Sequence, residues 1–251
     1  MMAERVKNVN AEDAILSKNG GTPSLNCLRN MKEQGFAIVP GVLHDNDVER
    51  LLVELSQTTV ARSRAGIRHA MQIPVIAQLA KDERLLEIAR TALGTEAVSF
   101  RATIFDKSVS ANWLVVWHQD TALPLERRID KAGWGPWSVK DGLNYAHAPT
   151  EALSQIVALR IHLDDSTSDN GPLRVLPGTH NSGVLSDDAI HDLSMKIAAV
   201  ECLAAAGGIV VMRPLVVHAS SKSKNDKPRR VIHIEYATSL CLENGMKLAI
   251  T

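Results

Sequence analysis

Cysteine is scarce: only Cys27, Cys202 and Cys241 occur in 251 residues. They are odd in number, far apart and form no Cys-x-x-Cys pair. This argues against a disulfide framework and fits a reducing compartment. Neither charge is in excess, because Lys plus Arg and Asp plus Glu are both 28. A formally neutral chain lacks the basic surface that nucleic acid or an anionic membrane attracts, so neither is expected as a partner. No apolar run approaches the roughly 20 residues that span a bilayer. Met1 to Arg5 leads into a polar segment rather than an apolar signal core, so the expected location is cytoplasmic. There are no internal repeats or low-complexity tracts. The Gly207-Gly208 turn has no Lys-Ser/Thr ending and is not a phosphate loop.

The length suits one large domain with a real core, and residues 1–251 read as a single domain. Residues 1–23 are polar, carry Asn19-Gly20-Gly21 and read as a mobile N-terminal arm, which leaves room for a homodimer contact. Residues 24–95 read as a helical flank. A first helix starts at Ser24 and closes at Gly35, a short strand follows at 36–39, and further helices carry Val48, Leu51, Leu52 and Leu55, then Val75 through Ala89. From 96 to 238 the pattern changes to short β-rich runs separated by Gly, Pro, Asn and Asp. Strands are predicted over 98–105, 113–120, 156–163, 173–176, 196–200, 209–212, 216–220 and 230–237. The expected fold is mainly β with flanking helices, a jelly roll or cupin-like barrel. The stretch 121–154 is too long for an ordinary connection and reads as a lid loop, with Trp134, Trp137 and Tyr145 as apolar substrate walls. Residues 239–251 read as a C-terminal tail.

The chemistry centres on Trp117-His118-Gln119-Asp120. In an extended segment residues two apart share a face, so His118 and Asp120 can reach one ion. His218 is the candidate third ligand. Two imidazoles and one carboxylate form the facial triad typical of non-haem Fe(II) oxygenases, although the same set also binds zinc. Eleven positions after His218 stands Arg229, whose planar fork suits a dicarboxylate co-substrate, and Ser220 shares a strand face with His218. Strand parity places Arg101, Thr103, Phe105 and Lys107 inward on one strand and Ala158, Arg160 and His162 on another. Charges inside a barrel are costly unless paired. Arg101 and Arg160 are therefore expected to contact that dicarboxylate co-substrate or an anionic substrate. Phe105 and Lys107 are expected on the substrate side, with Lys107 reaching toward water from its strand end.

His118-Gln119-Asp120, the run Asn170-Gly171-Pro172-Leu173-Arg174-Val175-Leu176-Pro177-Gly178-Thr179-His180, the His218-Ala219-Ser220 strand and Arg229 together resemble the phytanoyl-CoA dioxygenase family of Fe(II)/2-oxoglutarate oxygenases over about residues 30–238. The resemblance implies a double-stranded β-helix, with His118, Asp120 and His218 as both iron ligands and catalytic centre. It implies Arg229, assisted by Ser220, on the distal carboxylate of 2-oxoglutarate. Fe(II), 2-oxoglutarate and O2 are then the expected cofactors, and oxidation of a small-molecule substrate, with release of succinate and CO2, the expected reaction. Because Asp120 is kept where related halogenases have a small residue, hydroxylation is expected over halogenation. The alternatives are a non-catalytic cupin-like binding protein, and a zinc-dependent isomerase or hydrolase on the same barrel.

Overall fold

The computed structural model describes residues 28–29, 31–58, 66–108 and 111–251. The expected N-terminal arm, its dimer contact and the helix start at Ser24 lie outside the described residues. A short helix α1 (Met31–Gln34) ends at Gly35, whose φ of 80° is readily reached only without a side chain. Strand β1 (Phe36–Val39) and helix α2 (Asp45–Ser56) follow. Next come the two-residue strand β2 (Gly66–Ile67), α3 (Pro74–Leu79) and α4 (Glu83–Leu93). The single helical run expected over 75–89 is thus two helices. Asp82 breaks it by capping α4, its carboxylate accepting from the Arg84 N–H at 3.0 Å.

The β region begins with β3 (Val98–Lys107), β4 (Val115–His118), β5 (Ala122–Leu125), β6 (Trp137–Lys140) and β7 (Leu143–His147). After the short helix α5 (Thr150–Leu153) come β8 (Ile156–His162) and β9 (Leu173–Val175). Helix α6 (Asp187–Lys196) leads to β10 (Val200–Cys202), β11 (Ile209–Met212), β12 (His218–Ser220) and β13 (Arg229–Ala237). A six-stranded sheet in the order β1-β11-β8-β13-β3-β2 faces a four-stranded sheet β10-β9-β12-β4, and β5-β7-β6 form a third. Every strand pair is antiparallel. This is the mainly β, double-stranded β-helix architecture expected from the sequence.

Both faces of the large sheet are covered, for different reasons. Ala102, Ile104, Leu159, Ile161, Ile232 and Ile234 turn outward into one apolar cluster with α2, α3 and α4. The alternate residues of β3, β8 and β13 turn into the barrel and include Arg101, Thr103, Lys107, Arg160, Arg229, His233 and Glu235 beside the apolar Phe105, Ala158 and Val231. The flank is therefore more than a cover, since β1 and β2 are edge strands of the same sheet. Among the described residues no helix is long and apolar enough to cross a membrane.

Three expectations are corrected. The stretch 121–154 is a built unit, three strands and α5, rather than a loop. Its Leu123, Leu125, Ala146 and Leu153 share an apolar cluster with Phe100, Leu242 and Met246. The 239–251 tail is packed into the same unit: the Ala249 N–H donates to Pro124 O at 3.0 Å, and Leu248 is fully buried. Lys196, expected to open a strand over 196–200, instead ends α6, which Ser186 caps by accepting from the Ala189 N–H at 3.3 Å. The two acidic residues after Ser186 favour a helix start there. The strand that follows covers only 200–202.

Candidate metal centre and its cation cluster

His118 ends β4 and His218 opens β12, and the two lie directly opposite each other across the strand pair. Their ring centroids are 4.2 Å apart. Asp120 lies two residues past the end of β4, in a turn rather than in the expected strand. Its N–H donates to Pro214 O at 2.9 Å, which returns the carboxylate to the imidazoles. Each imidazole has Nδ1 2.9 Å from the carbonyl two residues before it, Val116 O for His118 and Val216 O for His218. With Nδ1–H donating there, the Nε2 lone pairs point to Asp120 and are free for a metal. Nε2 of His118 is 3.6 Å from Asp120 Oδ1 and Nε2 of His218 is 3.5 Å from Oδ2. One ligand atom from each of the three lies within 4.8 Å of the others.

Burial would raise the Asp120 pKa, but the facing imidazoles of His218 and His118 hold it well below the usual carboxylate range. Burial lowers His218 to about 4, against the pull of Asp120. For His118 the Asp120 carboxylate outweighs burial, and its pKa is raised. The set thus presents a carboxylate and a neutral imidazole at ordinary pH, which is the donor chemistry a divalent cation requires.

Gln119, between the two ligands in sequence, received no role in the sequence reading. Its side chain is buried, donates to Leu215 O at 2.7 Å and Gly183 O at 2.9 Å, and accepts from the Leu185 N–H at 2.8 Å. It locks the turn that carries Asp120. The middle residue of a His-x-Asp motif is an unspecific signal, and only the surrounding backbone reveals this function.

The barrel floor is a ladder set by the register of β3, β13 and β8. Lys107 pairs with Arg229, Phe105 with Val231, Thr103 with His233 and Arg101 with Glu235. His233 also pairs with Arg160. A cavity of about 140 Å³ holds the triad together with Arg101, Thr103, Phe105, Arg160, Ser220 and Arg229, and Trp113, Val115 and His233 also line it.

At one end the cations outnumber the anions. Arg229 is buried, donates from Nε to Asn170 O at 3.2 Å, and has no partner for Nη1. Arg160 is buried, contacts His233 Nδ1 at 3.1 Å, lies over the Phe105 ring, and has no partner for Nε. Lys107 is fully buried rather than reaching water. Its ammonium donates to Ser220 Oγ at 2.9 Å and to Ser221 O at 2.5 Å, and it lies over the Trp113 ring. Ser220 Oγ donates to Gly171 O at 2.9 Å. Gly171 has φ of 67°, and a Cβ there would stand 2.2 Å from Ser221 O, so only glycine lets this segment close on the cluster. Burial and the Arg160 charge lower Arg229 to about 10. Burial, then Arg229 and Arg160, lower Lys107 to about 7. No carboxylate among the described residues pairs with any of the three.

Arg101 does not belong to that end. It lies six residues along β3 from Lys107, about 20 Å in an extended strand. It forms a buried ion pair with Glu235 and donates to Ala122 O at 2.8 Å. Assigning it to 2-oxoglutarate together with Arg229 is therefore corrected. The expected aromatic walls are also corrected. Trp134 lines a separate groove, and with Trp137 it packs on the cluster under the third sheet. Tyr145 is buried, with its hydroxyl 3.0 Å from His69 Nε2. The aromatic residues on the cavity are Phe105 and Trp113.

The sequence model of the family described as Phytanoyl-CoA dioxygenase (PhyH) matches residues 31–231. An L-proline trans-4-hydroxylase of Streptomyces griseoviridis is 26% identical over 188 residues, 64% of this chain and 62% of that protein. An ectoine dioxygenase of Halomonas elongata is 25% identical over 240 residues, 80% of this chain and 66% of that protein. The chain thus spans slightly less than two thirds of the length of either relative. Among solved structures, the epimerase SnoN in complex with Fe3+, alpha ketoglutarate and nogalamycin RO aligns with a TM-score of 0.65 at 19% identity, covering 85% of this chain and 83% of that one. That likeness concerns the fold. The family model, which spans well over half of the chain and contains His118, Asp120, His218 and Arg229, makes this protein a member of the phytanoyl-CoA dioxygenase (PhyH) family.

Proposed function

We propose that this chain is an Fe(II)- and 2-oxoglutarate-dependent dioxygenase that hydroxylates an unactivated C–H bond of a small metabolite or natural product. The observation that carries this reading is the buried cation cluster Arg229, Lys107 and Arg160 beside the triad, with two guanidinium nitrogens unpartnered. Unpaired buried charge is costly, and a dicarboxylate that also reaches the metal neutralises it. A non-catalytic barrel has no use for that cluster, and a zinc hydrolase needs no dicarboxylate beside its metal.

Nε2 of His118, a carboxylate oxygen of Asp120 and Nε2 of His218 would hold iron. Arg229 and Lys107 would take the distal carboxylate, with Ser220 as a shared hydroxyl, and Arg160 would flank the co-substrate. Bound there, iron with 2-oxoglutarate and O2 supplies the oxidising power, and succinate and CO2 are released. The chain's own residues position and shield: Phe105 and Trp113 exclude water, and the barrel walls hold the substrate carbon near the metal. Retention of Asp120 supports hydroxylation over halogenation. We also read the described chain as a single domain, because strands from the helical flank complete the large sheet.

The direct test is anaerobic addition of Fe(II) and 2-oxoglutarate to the purified protein. A visible iron-to-oxo-acid charge-transfer band is expected; a folded protein without one overturns the assignment. The same titration run from pH 6 to 8.5 tests Lys107. Its ammonium is charged below about pH 7 in the unliganded protein, so 2-oxoglutarate affinity is expected to fall as pH rises through neutrality. In Lys107→Met that slope should flatten, and an unchanged slope would remove Lys107 from the carboxylate site.

A further inference from the structure

The co-substrate reading gives Lys107 an anion while 2-oxoglutarate is bound, and the geometry also defines what its amine faces between turnovers. Nζ contacts two residues that line the cavity: it lies 2.9 Å from Ser220 Oγ and 5.4 Å from the centre of the Trp113 ring. Its remaining contact is Ser221 O at 2.5 Å. Arg229 stands opposite Lys107 in the strand register, with Nη2 3.5 Å from the same Ser220 Oγ and with Nη1 buried and unpartnered. Arg160 lines the same cavity, where its guanidinium meets only His233 Nδ1 and the Phe105 ring. The other titratable group beside the two arginines is His162, fully buried, which burial and then their charges lower to about 3 and so keep neutral.

A buried ammonium among guanidinium groups is costly, and two chemical changes relieve it. The first is loss of a proton, which leaves an amine that is nucleophilic because it is desolvated and stands beside other cations. Burial and the charges of Arg229 and Arg160 bring that step to about 7. The second is conversion of the free amine into an anion, which the two arginines favour as strongly as they oppose the ammonium. CO2 is a reagent that does this. It is small and uncharged, so a buried cavity admits it, and the reaction proposed for this site releases it.

We propose that Lys107, when 2-oxoglutarate is absent, adds CO2 to form an Nζ-carbamate whose carboxylate is held by Arg229 and Ser220, and that this modification excludes the co-substrate. The amine lone pair forms the N–C bond, one C=O electron pair moves to oxygen, and a proton leaves Nζ for water: R–NH2 and CO2 give R–NH–CO2− and H+. Nothing is oxidised or reduced. The N–H that stays on the nitrogen donates to Ser221 O, and the new carboxylate supplies the anion that Nη1 of Arg229 lacks. One cation of the cluster thereby becomes its counter-ion. The carbamate and the distal carboxylate of 2-oxoglutarate compete for one anion place, so CO2 acts as a product inhibitor of its own release.

The carbamate needs no metal, whereas its antagonism with 2-oxoglutarate rests on the dioxygenase reading, and the experiment separates the two. Carbon NMR of the metal-free protein under isotopically labelled CO2 is expected to show a protein-bound carbamate. At fixed dissolved CO2 it should grow as pH rises through about 7, because only the neutral amine reacts. Lys107→Met should lack it; an α-amino carbamate, the other adduct expected near this pH, is recognised by its persistence in that variant. Saturating 2-oxoglutarate with Zn(II), a diamagnetic occupant of the triad, should erase the Lys107 signal. In the Fe(II) titration at fixed pH, CO2 at ten times its own dissociation constant should weaken apparent 2-oxoglutarate affinity about elevenfold. Lys107→Gln, which cannot add CO2, should show no such loss. Absence of a Lys107-dependent carbamate, its survival under saturating 2-oxoglutarate, or an affinity indifferent to CO2 overturns the proposal. If neither Lys107 variant folds, the competition in the wild-type protein decides. A missing charge-transfer band overturns the dioxygenase reading instead, and the metal-free signal then decides the modification.

Discussion

Asp120→Ala is expected to lose Fe(II) binding and coupled turnover together, by more than the roughly 10–100-fold that removing a ligand's hydrogen-bonding partner costs. Two physical losses combine in that variant. The metal loses its one anionic donor, and the imidazoles, with Nε2 atoms 3.5 and 3.6 Å from the Asp120 oxygens, lose the group they converge on. The turn itself should survive, because the Gln119 side chain and the Asp120 backbone N–H hold it without the carboxylate. Folding by circular dichroism should therefore be near wild type while Fe(II) titration and succinate formation fail. Succinate formation at wild-type rate would show that Asp120 is not a ligand.

Arg229→Met should separate affinity from stability. In the protein without 2-oxoglutarate, the guanidinium is buried, lowered in pKa, and has an unpartnered nitrogen. Replacing an uncompensated buried charge by an apolar side chain of similar reach is often neutral or stabilising. With 2-oxoglutarate present the same change removes one side of a buried charge pair, which costs about 2–5 kcal/mol. The expected result is an unliganded variant at least as heat-stable as wild type, with a large loss of the stabilisation that 2-oxoglutarate gives. Isothermal titration and thermal unfolding with and without the co-substrate measure both halves. Undiminished 2-oxoglutarate affinity would move the dicarboxylate elsewhere.

Much of this site is legible in residue order alone. Alternation along β3 places Arg101, Thr103, Phe105 and Lys107 on one face, and His218 with Arg229 eleven residues later marks the second motif. What residue order hides is register between strands. Only the pairing of β3 with β13 sets Lys107 opposite Arg229 and Arg101 opposite Glu235, and thereby separates two arginines that parity treats alike. The third sheet was legible in part. Asp141-Gly142 joins β6 to β7 with both residues at positive φ, 50° and 81°, the two-residue hairpin signal that favours this dipeptide. It escapes notice because Gly135-Pro136 and Pro124 interrupt the apolar runs around it. The burial of Lys107 has no signal in residue order, since it depends on Ser220, Ser221 and a glycine from another loop meeting at one strand end.

The ladder on β3 also limits how this chain can diverge. Because every polar group on its inner face sits at an odd-numbered position, inserting or deleting one residue inside β3 would reverse the facing of the strand on one side of the change, turning apolar outer residues such as Ala102 or Ile104 into the barrel and either Arg101 or Lys107 out of it. Whole-site chemistry thus hangs on the continuous pairing of β3 with β13 from Arg101 to Lys107, unbroken by a bulge. Length change is therefore confined to the connections outside that strand. A homologue with an indel within this strand should have lost either the Lys107 or the Arg101 end of this inner face, even with its His-x-Asp intact.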